Sequence, residues 1–172
     1  MADEVVIVPD TRSRPLLWMV VGVAAAIVVI DQITKAMAVE WLMGQPPVEI
    51  IGSWLRLLYA ENTGAAFGIG TGFTWIFTAI AIVVAIVIVR TSRNLGSKAW
   101  AVALGGLLGG AVGNLIDRLV RDPGPGQGYV VDFIALPNFP VFNVADMAIT
   151  CSAVLMIVLT LRGVEFAGRA RA

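Results

Sequence analysis

Apolar residues run in four long blocks along the chain, each carrying a few polar positions near one end. The blocks cover roughly 16–37, 72–89, 99–119 and 142–161. A hydrocarbon core about 30 Å thick takes about 20 helical residues to cross, so each block is long enough to span a bilayer. Trp18 and Trp41 bracket the first block, and Trp75 and Trp100 start the second and third, as expected of rings that sit at headgroup level. The pattern predicts one membrane domain over 1–172, with a short extension at 1–15 and two connecting loops at about 42–71 and 120–141. Within the first loop, Val48–Gly68 mixes β-branched and aromatic residues with turn signals and suits short strands. The second loop is dense in glycine and proline and is expected to be mobile.

Basic residues give the helices a direction. Arg12, Arg14, Arg90, Arg93, Lys98, Arg162, Arg169 and Arg171 fall on one side, against Arg56, Arg118 and Arg121 on the other, with Lys35 near the end of the first block. Cytoplasmic loops carry the excess of Lys and Arg, which places both termini in the cytoplasm. Arg12 and Arg14, the apolar run and Ala36–Ala38 (Ala-Met-Ala) also have the outline of a cleavable secretory signal. The apolar run exceeds the about 7 to 15 residues of a signal core, and three further blocks follow it, so a retained helix is the better reading. The expected fold class is an all-α integral membrane protein. It has four transmembrane helices, both termini cytoplasmic, and a small β-like element and a mobile loop on the outer face.

Composition narrows the chemistry. Hydrophobic residues make up 58% and charged residues 14% of the 172 positions, against roughly 25% charged in soluble domains. Net charge is zero, which leaves no basic surface for nucleic acid. Histidine is absent, so Ser-His-Asp, Cys-His and HExxH chemistry are all excluded. Cys151 is the single cysteine, cannot form an internal disulfide, and reads as a structural residue in an apolar run.

The remaining polar groups converge. With the N-terminus inside, Asp31 and Lys35 lie near the outer end of the first helix and Asn114, Asp117 and Arg118 at the outer end of the third. Asn143 and Asp146 lie in the first turns of the fourth, and Asp132 in the loop before it. Spacings of three and four residues put each helical set on one face. Asp31 with Lys35 can be read as a neutralising pair near the interface, and Asp117 with Arg118 as an ion pair at a helix end. Asp146 is harder to dismiss, because it is a carboxylate inside an apolar helix without a basic neighbour there. Gly106, Gly110 and Gly113 align with Asp117 and allow a close approach by another helix, or by an extended peptide. Asn62 and Gly64 form an Asn-x-Gly turn able to present amide groups to a peptide.

Two carboxyls held together cannot both ionise, so they share a proton and act as a general base and a general acid. Asp132 and Asp146 are the natural pair, joined by a segment long enough to fold them together. Asp117 with Asp132 is the second choice, because Arg118 and Arg121 offer Asp117 local partners. A proton-coupled carrier would place its acids at the midplane between repeated halves, and neither feature is evident. A non-catalytic scaffold would have no reason to gather so many polar groups.

Five blocks in order, Asp31–Lys35 (DQITK), Glu61–Gly68 (ENTGAAFG), Gly109–Arg118 (GGAVGNLIDR), Val130–Ile134 (VVDFI) and Phe142–Ile149 (FNVADMAI), resemble the bacterial lipoprotein signal peptidases. The resemblance implies a multi-pass aspartyl protease of the bacterial cytoplasmic membrane with its site at the outer face. Its partners would be membrane lipids and diacylglyceryl-modified prolipoproteins, cleaved just before the lipidated cysteine. It also implies Asp132 and Asp146 as catalytic dyad, with Asp31, Lys35, Asn62, Gly64, Gly110, Asn114, Arg118, Asn143 and Ala145 at substrate-binding or supporting positions. Such chemistry needs neither metal nor cofactor, and no metal-ligand spacing occurs. The residues before Pro15 and the Arg121–Tyr129 stretch (RDPGPGQGY) depart from the family pattern.

Overall fold

The computed structural model describes residues 13–64 and 74–167. Several expectations lie outside them: the extension before Ser13, residues Ala65–Gly68 of the second block, the start of the second span at Gly72, and Arg169 and Arg171. Helix α1 covers Ser13–Leu42, α2 Thr74–Thr91, α3 Lys98–Val120 and α4 Val144–Leu161. Strands β1 (Val48–Ile51), β2 (Leu55–Asn62) and β3 (Val130–Ala135) form one antiparallel sheet in that order. All four helices are long and apolar enough to cross a membrane.

The least apolar helix is the central one. In its apolar window α3 is 56% buried, against 17% for each of the other three, whose exposed Val, Ile and Leu side chains suit a lipid environment. Glycine makes the centre possible. A side chain at Gly105 or Gly109 would meet the α1 backbone at Val20 O or Ala24 O, each at 2.9 Å, and one at Gly110 would meet Ala145 O of α4 at 2.5 Å. Such close backbone approach is how membrane helices gain packing contacts where lipid supplies no hydrophobic drive. The glycine face of α3 is therefore taken by α1 and α4. The close approach by another helix is met within the bundle, and the face is not free to dock an extended peptide, which corrects that alternative.

The ends of α3 and α4 are closed by their own sequence. Past α3, the N–H groups of Gly126 and Gly128 donate to Arg118 O at 2.8 and 3.1 Å, covering carbonyls that a helix end leaves open. A side chain at Gly128 would lie 2.6 Å from Arg121 O, so only glycine fits. The segment read as a mobile connecting loop starts as a cap and continues as β3, whose register sets Ala60 opposite Asp132 and Asn62 opposite Val130. Strand β3 is almost wholly buried, packing Val131 and Phe133 against Ala38 and Leu42 of α1. After β3 the chain doubles back: Phe142 exchanges backbone hydrogen bonds with Ile134 at 2.9 and 3.0 Å, and α4 begins two residues later. That reversal carries Asp132 and Asp146 to the same end of the bundle.

Candidate active site

The site is built on a buried cation. Lys35 Nζ lies 2.8 Å from Asp31 Oδ2, 3.0 Å from Asp117 Oδ2 and 2.9 Å from Asn114 Oδ1. The Lys35, Asp31 and Asp117 side chains are all fully buried. The pair of α1 is therefore no snorkelling interfacial pair, as the sequence allowed, and α3 supplies the second carboxylate. All three ammonium protons have an acceptor, which is what makes a charge at this depth tolerable.

Both acids of this layer hold other elements in place. Asp31 Oδ1 accepts the Ala145 N–H at 3.0 Å, one of the donors that the first turn of α4 leaves unpaired. Asp117 accepts the Val131 N–H at 3.1 Å, tying β3 to α3, and pairs with Arg121 at 3.2 Å. Arg118 forms no salt bridge with Asp117, contrary to expectation, although the two charges are near enough to act on each other. Arg118 donates to Gly64 O at 3.1 Å and lies 5.6 Å from the centre of the Phe77 ring. Asp117 is thus wholly engaged inside the protein, which removes the ground for pairing it with Asp132. Gln32 was missed in the sequence. Its amide nitrogen lies within hydrogen-bonding range of Asp31, Gly113 O and Asp117 at 3.1 to 3.3 Å. An amide in an apolar run next to Asp31 was the available signal.

Above this layer lie Asp132 and Asp146, joined by asparagines. Asn143 caps α4: its side-chain oxygen accepts the Asp146 N–H at 3.0 Å, and its own N–H donates to Asp146 Oδ2 at 3.2 Å. The same side chain donates from Nδ2 to Asp132 Oδ1 at 2.6 Å. Asn62, whose Oδ1 accepts the Gly64 N–H within the Asn-x-Gly turn, donates to Asp132 Oδ2 at 2.9 Å. Asn114 donates to Asp146 Oδ1 at 2.8 Å. Burial pushes the Asp132 carboxyl up to about 7 and the nearby charge of Asp146 acts in the same direction, opposed by the two asparagine donors and the charge of Lys35. One face of this cluster opens on a cavity of about 550 Å³. Asn62, Asn114, Arg118 and Asp146 form its polar end, and Leu136, Phe139, Phe142, Met147 and Ile149 are among its apolar walls. Cys151 lines it too and is exposed, where the sequence suggested a packed residue.

Every candidate site residue named from the sequence thus has a place among the described residues. Asp132, Asp146, Asn62, Asn114 and Asn143 meet directly, and Asp31, Lys35 and Asp117 lie one layer beneath. Gly64 holds the turn, and Arg118 anchors it to α3. Ala145 and Gly110 contribute through the backbone and through smallness, since α4 meets α3 where Gly110 leaves room.

Known proteins resemble this chain in sequence and in fold. A family described as signal peptidase (SPase) II matches residues 23–162. The lipoprotein signal peptidase of Streptomyces coelicolor is 48% identical over 155 residues, covering 90% of this chain and 76% of its own length. That of Rhodococcus jostii is 47% identical over 157 residues, covering 91% and 78%. A bacterial membrane enzyme solved by the in meso method superposes with a TM-score of 0.72 at 32% identity, covering 83% of this chain and 92% of its own. The matched segment holds every polar group from Asp31 to Asp146, and this chain belongs to the signal peptidase II family.

Proposed function

We propose that this protein is an aspartyl endopeptidase that removes the signal peptide from diacylglyceryl-modified prolipoproteins, cutting before the lipidated cysteine. The observation that carries the reading is Asn143, which holds Asp132 and the capping carboxylate Asp146 around one side chain beside an apolar cavity. Of the two acids, the ionised one takes a proton from water as the water oxygen attacks the scissile carbonyl carbon. The protonated one gives its proton to the amide nitrogen as the C–N bond breaks. The products are a signal peptide ending in a new carboxylate and a lipidated cysteine with a free α-amine. A proton passed between the acids restores the start. Four donors from Asn62, Asn114 and Asn143 orient the carboxyls without taking part in proton transfer.

The chain would act as one domain of the bacterial cytoplasmic membrane, with the site at the outer face and both termini in the cytoplasm. Supporting this, Arg90, Arg93, Lys98 and Arg162 lie at the end of the bundle away from the acids. A diacylglyceryl anchor keeps its acyl chains in the outer leaflet, so the bond beside it is held at the interface where the acids are.

Single-turnover cleavage of a lipidated precursor by purified variants tests the reading. Asp132→Asn and Asp146→Asn should each lose at least a thousandfold while remaining folded by circular dichroism, and the double variant should match the worse single. Near-normal cleavage by either folded variant overturns the dyad. Equal cleavage of an unlipidated precursor overturns the substrate.

A further inference from the structure

The buried layer and the carboxyl pair meet at one side chain, Asn114. Its oxygen receives Lys35 Nζ at 2.9 Å and Asn143 Nδ2 at 3.2 Å, and its nitrogen donates to Asp146 Oδ1 at 2.8 Å. An ammonium group has three donors and no acceptor. The Asn114 amide therefore cannot turn over: with its NH₂ facing Lys35 it would set donor against donor and leave the Lys35 charge short of a partner in a buried layer. Asp146 Oδ1 thus always meets a donor, backed by a positive charge one amide away. Asp132 is reached from Lys35 only by a longer route, through Asn114 Oδ1 and then Asn143 Nδ2, and by its charge through space. Its two oxygens receive neutral amides from Asn62 and Asn143.

We propose that Lys35 is a positioning residue that acts through Asn114 to assign the two roles in the dyad, holding Asp146 as the carboxylate that activates water and leaving the proton to Asp132. The inference rests on the dyad reading above and deepens it. Donors aimed at a carboxylate oxygen favour its charged form, and a cation behind a polarisable amide strengthens the donor. Burial acts the other way on Asp132, favouring its protonated state. Two acids whose surroundings differ in this sense divide into base and acid. The charged groups around the pair are Asp31 and Lys35 from α1, Asp117 and Arg118 from α3, and each acid for the other. Asp31 and Asp117 are neutralised chiefly by Lys35 and Arg121, so the net influence reaching Asp146 through Asn114 is that of a donor.

The test is the pH dependence of kcat/KM for a lipidated precursor in detergent micelles, with the thermal midpoint measured on each variant. Asn114→Leu keeps size but removes the donor to Asp146, and should move the acid limb of the profile up by at least one pH unit. Asn114→Asp is the companion should the first not fold. It keeps an acceptor for Lys35 but turns a carboxylate oxygen toward Asp146, and the acid limb should again rise. Gln32→Leu removes hydrogen bonds from the same buried layer without touching Asp146. It should lower the thermal midpoint and leave the acid limb where it is. An unmoved limb in a folded Asn114 variant, or an equal shift in Gln32→Leu, overturns the assignment, because the network then acts only as structure. A wild-type protein that does not cleave, or dyad variants that do, overturns the dyad reading itself and the assignment with it. Inactive dyad variants combined with an unmoved limb overturn the assignment alone.

Discussion

Asn143 and Asp146 cap each other: the Asn143 side chain accepts the Asp146 N–H at 3.0 Å, and the Asp146 carboxylate accepts the Asn143 N–H at 3.2 Å. This reciprocal pair satisfies two otherwise open donors at the start of a helix, the usual economy of a capping box. Here one partner also faces a cavity, so starting the helix and aiming the carboxylate are one event.

Replacing Asn143 therefore costs in two separate ways. Asn143→Ala should lower stability by about 1 kcal/mol, the size of a lost N-cap. It also frees Asp132 Oδ1 from its 2.6 Å donor, so cleavage should fall at least a hundredfold. Asn143→Ser restores a capping oxygen but cannot span to Asp132, and should recover the thermal midpoint while leaving cleavage low. Parallel recovery of both would separate Asn143 from the acids.

The Asp132 carboxyl, raised to about 7 by burial and by Asp146, sets a pH dependence. Its ordinary value of 3.8 applies when unfolded, so the folded state binds the proton more tightly between 3.8 and about 7. The contribution to stability is fully present below 3.8 and is lost as pH rises toward about 7, after which it is flat. Thermal midpoints in detergent should decline over that window, and Asp132→Asn should flatten the decline. With Asp132 as the acid, kcat/KM should fall above about pH 7. A stability profile unchanged by Asp132→Asn would contradict this.

Two glycines of the spans should respond oppositely to alanine. At Gly110 the added carbon would lie 2.5 Å from Ala145 O and 2.6 Å from Ile149 Cγ1, so α4 must move and take Asp146 with it. Gly110→Ala should cost roughly 1–3 kcal/mol as an overpacked contact and depress cleavage at least tenfold. Nothing lies within 4 Å at Gly22, and Gly22→Ala should be neutral or slightly stabilising. Similar behaviour of both would mean that α3 and α4 do not pack this closely.

Orientation is open to labelling. Cysteine at Ser53 or Gln127, in a background where Cys151 is serine, should react with an impermeant maleimide from outside the cell. Cysteine at Ser97 should react only after permeabilisation. The reverse pattern would put the acids on the cytoplasmic side and end the proposed substrate reading.

The sequence by itself determined what depends on local pattern and composition. The four helices follow from apolar length, because a bilayer leaves a chain few other ways to satisfy its backbone. Asp31, Asn114 and Asp146 stand out because each interrupts such a run near the same end. Short strands were readable in Val48–Gly68, where residue types favour a pleated surface, and they form at Val48–Ile51 and Leu55–Asn62. Strand β3 was not, since six residues between glycine-rich and proline-containing stretches carry little signal until β2 lies beside them.

Only the tertiary structure decided which polar group answers which. Spacing suggested Arg118 for Asp117, but Lys35 reaches Asp117 from another helix and Arg118 turns to Gly64. The glycines that looked like a docking face are consumed by α1 and α4, because helix crossings are chosen by the partner's shape as well as by one helix's own small residues. The orientation of the Asn114 amide is fixed by an ammonium 79 residues away in sequence. Hydrogen bonds and ion pairs act over a few ångströms in space, and a period along one chain segment carries no record of which distant segment will supply the other half.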